Sequence, residues 1–210
     1  MSDASLKPAV KVFEQRKRLV VVQVTAVVAI VLLLFTKPFL GEGSDGHEFV
    51  EALGVGFVLV CFIGRLWSTL YVGGKKNAEL ISAGPFSVTQ NPLYFFSTVG
   101  ATGVGLMYGS VLAAAGLGLA SFVVFRVTAR KEAKFLLGKF GPAYSAYTER
   151  TPLFWPNPLL YNDQAERQFS TRTLKRTFLD GLYFLALFPI IELAEHLRNS
   201  GMLPVFFTLY

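Results

Sequence analysis

The chain has 210 residues, of which 52% are hydrophobic, a mean hydropathy of +0.47 and a formal net charge of +6. Its length allows one domain, and its hydropathy excludes an ordinary soluble domain and points to an integral membrane protein. A single cysteine, Cys61, excludes an intrachain disulfide and a cysteine-cluster metal site. The basic charge lies between hydrophobic runs, where membrane orientation explains it better than nucleic acid does.

Residues 1–18 are polar and basic, with Lys7, Lys11, Arg16, Lys17 and Arg18 against Asp3 and Glu14. This opening does not read as a cleavable signal peptide. The uncharged run Leu19 to Phe35 follows, closed by Lys37-Pro38, and a span is expected at 19–36. Residues 41–48 read as a flexible acidic connector. A second span is expected at 49–71, with Glu51 near its start and Arg65 near its end. Two roles are open to Arg65: its head snorkels to the interface, or it faces a polar site inside the bundle. Cys61 reads as a buried structural residue.

Residues 72–80 are polar and basic and lead into Gly84-Pro85-Phe86-Ser87-Val88-Thr89-Gln90-Asn91-Pro92-Leu93-Tyr94. This stretch opens on a turn signal and closes on a helix start, Asn91 as N-cap and Pro92 at the first helical position. It reads either as a loop returning the chain to the membrane or as a helix-N-terminal pocket for an anionic or zwitterionic ligand. The apolar segment from Tyr94 to Phe125 is too long for one span: at 1.5 Å per residue it would reach ~48 Å, against a hydrocarbon core of ~30 Å. It predicts a helical hairpin with spans at 92–108 and 110–126, turning near Met107-Tyr108-Gly109-Ser110. Gly100, Gly103, Gly105, Gly116 and Gly118 are expected to let the two hairpin helices pack closely.

From Arg126 the chain becomes amphipathic and basic, with Arg130, Lys131, Lys134 and Lys139 around Glu132. Phe140-Gly141-Pro142 ends this helix; Tyr144 and Tyr147 follow one turn apart, and then the interfacial Leu153-Phe154-Trp155. Residues 157–177 belong outside the bilayer, 178–193 is a fifth apolar run favoured to span, and 202–210 is too short to span. The fold expected is all-α: a single polytopic membrane helical bundle over 1–210, with four or five transmembrane helices and a cytosolic cofactor pocket. Within it, 1–18 is a cytosolic arm, 19–71 two spans, 84–158 the functional core and 159–210 a C-terminal extension. All of the 20 Lys and Arg except Lys37, Arg65 and Arg198 fall on one side of this topology. The positive-inside rule makes that side cytosolic, and a bacterial inner membrane is the expected location.

Residues 72–94 and 126–158 then share one membrane surface. They offer a helix N-terminus, the cations Arg126 and Arg130, one acid in Glu132, and three aromatics in Tyr94, Tyr144 and Tyr147. A ligand with an aromatic base, a carboxylate and a positive sulfur matches this set, as do other nucleotides. His47 and His196 lie on the far side and receive no role.

Here the residues resemble a known family. Gly84-Pro85-Phe86-Ser87 and Gln90-Asn91-Pro92-Leu93-Tyr94 are similar to the Gly-Pro-aromatic and Arg-[His/Asn]-Pro-x-Tyr signature of isoprenylcysteine carboxyl methyltransferases and their bacterial and phospholipid-methylating relatives. Glu132 to Leu136, followed by Phe140-Gly141-x-x-Tyr144-x-x-Tyr147, resembles the second signature, which opens on a pair of glutamates; Pro152 to Pro156 resembles the segment after it. The resemblance covers about residues 60–158. It departs at Gln90, where the family often has Arg, and at Ala133, where the second glutamate is missing.

The resemblance implies a membrane methyltransferase using S-adenosyl-L-methionine on a lipophilic or membrane-embedded carboxyl, thiol, amine or hydroxyl acceptor. It assigns cofactor binding to Asn91, Pro92, Tyr94, Glu132, Tyr144 and Tyr147. Catalysis is assigned to Glu132, for orientation or proton acceptance, with Arg130 as an anion partner. No metal or nucleic acid is expected, membrane lipids are expected partners, and the oligomeric state is left open. The alternatives are an NADPH-dependent membrane reductase of similar topology and a non-catalytic lipid-binding or assembly protein with a degenerate pocket.

Overall fold

The computed structural model describes residues 36–38, 44–72, 79–163, 169–202 and 207–209. The expected arm at 1–18 and nearly all of the expected first span lie outside these residues. The fold is helical, as expected: α1 runs Asp45–Val72, α2 is the four-residue Pro85–Val88, α3 Pro92–Met107, α4 Val111–Phe140, α5 Pro142–Arg150 and α6 Thr171–Asn199. Two three-residue strands, β1 (Thr36–Pro38) and β2 (Phe207–Leu209), pair in parallel with Thr36 opposite Phe207. α1, α4 and α6 are long and apolar enough to cross a membrane.

Local chemistry sets the boundaries. α1 begins earlier than the hydrophobic run suggested. The Ser44 carbonyl accepts from Glu48 N and its hydroxyl from His47 N, and Asp45 and Glu48 stand in the first turn, where acids are favoured. Residues 45–48, read from sequence as connector, are therefore helical. The hairpin turns where expected, at Tyr108-Gly109, with Gly109 at φ 76° and the Ser110 hydroxyl accepting from Ala113 N to start α4. Hydroxyls inside the apolar helices bond back to the preceding turn, as Ser68 does to Gly64 O, Thr98 to Tyr94 O and Thr128 to Val124 O. That satisfies them where no water is at hand.

α1 packs against α3 and α6, α4 packs on α3, and α3 also touches α6. The glycines of the hairpin divide their work differently from the expectation. Gly105 and Gly118 face the hairpin partner at Ala114 and Thr102, Gly100 and Gly103 face α1 at Cys61 and Phe57, and Gly116 meets open space. The α1–α3 contact is backbone on backbone: a Cβ on Gly54 would stand 2.2 Å from Met107 N. Cys61, buried there, is structural in its packing. α6 runs antiparallel to α1: Thr177 meets Thr69 hydroxyl to hydroxyl at 3.2 Å, and at the opposite end Glu195 Oε1 stands 3.7 Å from His47 Nε2. Phe49, Ile63, Val111, Leu119 and Tyr183 remain exposed on the outer surface, as side chains facing lipid do.

Helix length positions the site. α3 has 16 residues and α4 has 30, or ~24 Å and ~45 Å. With their shared turn at one end, α4 overshoots α3 by about four turns at the other. That overshoot, residues 126–140, becomes a wall standing over the start of α3.

Candidate active site

The wall, the start of α3 and the flanking loops enclose an open cleft with a cavity of about 110 Å³. Its floor is Gln90 through Tyr94. Glu132, Ala133, Leu136 and Phe140 of α4 form one wall, a spacing that puts all four on one helical face. Opposite stand Val72 at the end of α1 and the loop Glu79-Leu80-Ile81; Phe86 and the α5 residues Tyr144 and Tyr147 complete it.

Tyr94 joins floor to wall. Its ring stacks on Phe125 with centroids 5.1 Å apart and planes 11° from parallel, and its hydroxyl donates to Glu132 Oε2 at 2.8 Å. This bond links the two signature motifs directly. Tyr144 and Tyr147, both buried, sit with ring centroids 5.9 Å apart. Tyr147 donates to Phe86 O at 2.7 Å and Tyr144 to Gln90 Oε1 at 3.3 Å. Burial, with the Glu132 charge adding to it, pushes the Tyr144 phenol up to about 12. Burial pushes Tyr147 up as well, reinforced by Tyr144 and partly opposed by Arg150. Both phenols stay protonated at neutral pH and serve as donors.

The floor is held from outside by a strap, residues 151–162. Gln90 donates from Nε2 to Thr151 O at 2.6 Å and from its backbone to Pro152 O at 2.9 Å; Asn91 Nδ2 donates to Leu153 O at 2.9 Å; Thr89 Oγ1 donates to Phe154 O at 3.0 Å. Asn157 N returns a bond to Val88 O, and Gly84 N and the Ser87 hydroxyl both bond Asn162. At Gly84, φ is 59° and a Cβ would strike the Tyr71 ring at 1.9 Å, so only glycine fits the opening of this loop. Phe154 and Trp155 close the strap against Phe95 and Phe122.

The structure gathers Asn91, Pro92, Tyr94, Glu132, Tyr144 and Tyr147 around one cleft. It corrects two details and chooses between the two roles open to Arg65. Arg130 does not line the cleft: it is exposed, and standing two residues from Glu132 it points roughly 200° around the helix. Arg126 is exposed as well and lies 5.6 Å over the Phe122 ring. The anion-partner role drawn from sequence therefore has no cation at this wall. Asn91 occupies the N-cap position without a side-chain cap bond, because its amide serves the strap, and the Tyr94 and Phe95 amides already donate to Asn91 O. The anion site expected at this helix start lacks those donors. Arg65 faces the bundle rather than the interface, bonding Ser97 Oγ of α3. Glu79, Phe86 and Leu136 are lining residues that sequence reasoning passed over. Leu136 shares a helical face with Glu132 and was legible from that spacing; Glu79 arrives by loop geometry and left no local signal.

Comparison with known proteins agrees with this geometry. A family model described as phospholipid methyltransferase matches residues 52–143, which include Tyr94 and Glu132. The chain is 30% identical over its full length to the full-length cobalt-zinc-cadmium resistance protein CzcN of Cupriavidus metallidurans. It is also 30% identical to the nickel-cobalt-cadmium resistance protein NccN of Alcaligenes xylosoxydans xylosoxydans, over 98% of both chains. No solved structure matches it. With that family model spanning Tyr94 and Glu132, where the two motifs meet, and with relatives matched end to end, the chain belongs to the phospholipid methyltransferase family.

Proposed function

We propose that the chain is a membrane methyltransferase that uses S-adenosyl-L-methionine to modify a lipophilic acceptor. The Tyr94–Glu132 hydrogen bond carries this reading, because it brings the two motifs together at a cleft that also holds Tyr144 and Tyr147. The residues fit the cofactor: Tyr144 and Tyr147 supply aromatic faces and hydroxyl donors, and Glu132 supplies a carboxylate toward a positive sulfur. When bound, the cofactor offers a methyl group on a sulfonium. The chain's own task is alignment, since in-line displacement gains most of its rate from positioning. A carboxylate or thiolate acceptor arrives deprotonated; an amine or hydroxyl acceptor gives its proton to Glu132.

The basic end of the bundle is taken as cytosolic by the positive-inside rule, and the acceptor reaches the cleft from the bilayer beside α3 and α4. The relatives' names speak of metal resistance. We read this chain's part in such a role as methylation of a lipophilic component. Among the described residues no group of three or more His, Cys, Asp or Glu is placed to hold a metal ion. The deciding experiment is calorimetry on detergent-purified protein with S-adenosylmethionine, with NADPH run beside it. Micromolar binding of the first, lost in Tyr94→Ala, is the expected result. Binding of NADPH alone overturns it in favour of a reductase, and binding of neither in favour of a non-catalytic protein.

A further inference from the structure

The strap that holds the cleft floor turns side chains outward that water does not suit. The sequence from Thr151 to Tyr161 carries no charge, although Arg150 precedes it and Asp163 follows. Phe154 points inward and is 4% exposed, while Trp155 is 63%, Leu159 94% and Tyr161 49% exposed. The backbone beneath these side chains is satisfied. Asn157 N donates to Val88 O, Leu159 N to Asn157 Oδ1, Leu160 N to Asn157 O, Tyr161 N to Pro158 O and Asn162 N to the Ser87 hydroxyl. Pro156 and Pro158 have no N–H to place. Every N–H from 156 to 162 is thus met within the protein, which lowers the cost of leaving water. The carbonyls of such a turn still need polar company, so its place is the headgroup layer and not the hydrocarbon below.

The neighbouring helix shows where that layer lies. On α4, Leu119, Val123 and Val127 are exposed apolar side chains one turn apart, and the exposed cations Arg126 and Arg130 mark the end of the apolar stretch. Trp155 packs at that height, 5.7 Å from the Phe122 ring and 6.1 Å from Phe95, and Arg126 lies over the same Phe122 ring. At the other end of the strap Tyr161 meets Trp67 of α1 at 6.1 Å. The strap is therefore fixed at both ends to aromatic side chains of the long apolar helices, at the level where lipid-facing residues give way to cations.

We propose that residues 155–161 are a membrane seat: Trp155, Leu159 and Tyr161 enter the headgroup layer of an anionic bilayer, and Arg126 beside them meets a lipid phosphate. The same strap bonds Thr89, Gln90 and Asn91. The cleft floor is thereby anchored to lipid as well as to its own helices. The proposal stands apart from the methyltransferase reading and holds for whatever ligand the cleft takes.

The test uses the full chain in vesicles of phosphatidylcholine and phosphatidylglycerol. Trp67 and Trp155 are the two tryptophans, so Trp67→Phe leaves Trp155 as the one indole. Its emission is expected to fall by about half when the lipids carry bromine near the glycerol end of their chains, the ~5–10 Å depth of an interfacial side chain, and to fall less with bromine near the chain ends. Leaving out phosphatidylglycerol is expected to weaken this quenching, and Arg126→Gln to remove its dependence on that lipid. Equal quenching with and without phosphatidylglycerol overturns the phosphate contact. A second arm keeps Trp67: a nitroxide attached through Leu159→Cys, in a Cys61→Ala background, should be relaxed more by dissolved oxygen than by an aqueous nickel chelate. Leu159→Asp is expected to speed hydrogen exchange at residues 157–162 several-fold, and unchanged exchange overturns the anchoring of the floor. Quenching of Trp155 by aqueous iodide and not by brominated lipid, or a nitroxide relaxed chiefly by the nickel chelate, overturns the seat and gives this surface to water or to a protein partner.

Discussion

The two ends of the bundle are built by different means. At the acidic end α3 and α4 turn within three residues, and the surroundings close over the turn. His47 is 3% exposed and packs on Gly109, and the buried Arg198 lies 5.6 Å over the Tyr108 ring. At the basic end α4 runs on past the start of α3, and the space between them is bounded by loops and a strap rather than filled. One end spends its polar groups on tying helices together; the other arranges them around a cleft. The contrast shows how a hairpin of unequal arms makes a site: a packed turn fixes one end, and the length difference opens the other.

The sharpest way to break this arrangement is at the α1–α3 contact. Gly54→Leu forces a side chain into the Met107 backbone. It is expected to destabilise the bundle by about 3 kcal/mol, at the upper end of ordinary overpacking, read as a large fall in thermal midpoint in detergent. Gly116→Leu, whose site faces open space, should leave the midpoint nearly unchanged. At the other end the effect should fall on binding instead. Tyr94→Phe removes the hydroxyl that bonds Glu132, and an interaction with a charged group is worth about 1.5–3 kcal/mol. Calorimetry is expected to show S-adenosylmethionine bound about tenfold more weakly, with the thermal midpoint lowered less than in Gly54→Leu. A midpoint that falls as far as in Gly54→Leu would erase the distinction between the two ends.

A smaller effect is expected at the strap. Asn91→Ala deletes the bond to Leu153 O, worth about 1 kcal/mol, and should speed hydrogen exchange in residues 151–157 without changing exchange at the α3–α4 turn. The smallest effect is visible only in alkali. Tyr144 is raised from its model-peptide value of 10.0 to about 12, so the unfolded chain loses this proton first as pH rises. Stability is independent of this group below pH 10 and declines between about pH 10 and 12. Tyr144→Phe should flatten that part of a stability-against-pH curve, and an unchanged slope would show that Tyr144 is not buried in the folded protein.

Much of the framework was legible because its signals are local. Pro92 after Asn91, Gly109-Ser110 between two apolar runs, and Gly141-Pro142 after Phe140 each mark a boundary within a few residues, and the helices obey them. What the sequence hid was direction around the helix axis. Arg130 and Glu132 look like neighbours on paper, but two residues of helix turn them to opposite sides, one toward solvent and one toward the cleft. Gly100 and Gly105 likewise look like one packing stripe and serve different partners. The start of α1 was missed because Gly41 to Glu48 has a linker's composition; the Ser44 cap makes part of it helix. Glu79 was beyond reach for another reason. Its place in the lining is set by tertiary contact rather than by helical spacing, and no periodicity records that.

The shortness of α3 has one more consequence. A helix of 16 residues, at ~24 Å, does not reach both faces of a hydrocarbon layer of ~30 Å that its longer neighbours can fill. A bundle that spans with its α3–α4 turn level with one face would leave the floor at Pro92 short of the other. On the proposed methyltransferase reading, a water-soluble donor then enters the cleft from above and a lipophilic acceptor from the side, and neither has to be carried out of its own phase for the two to meet.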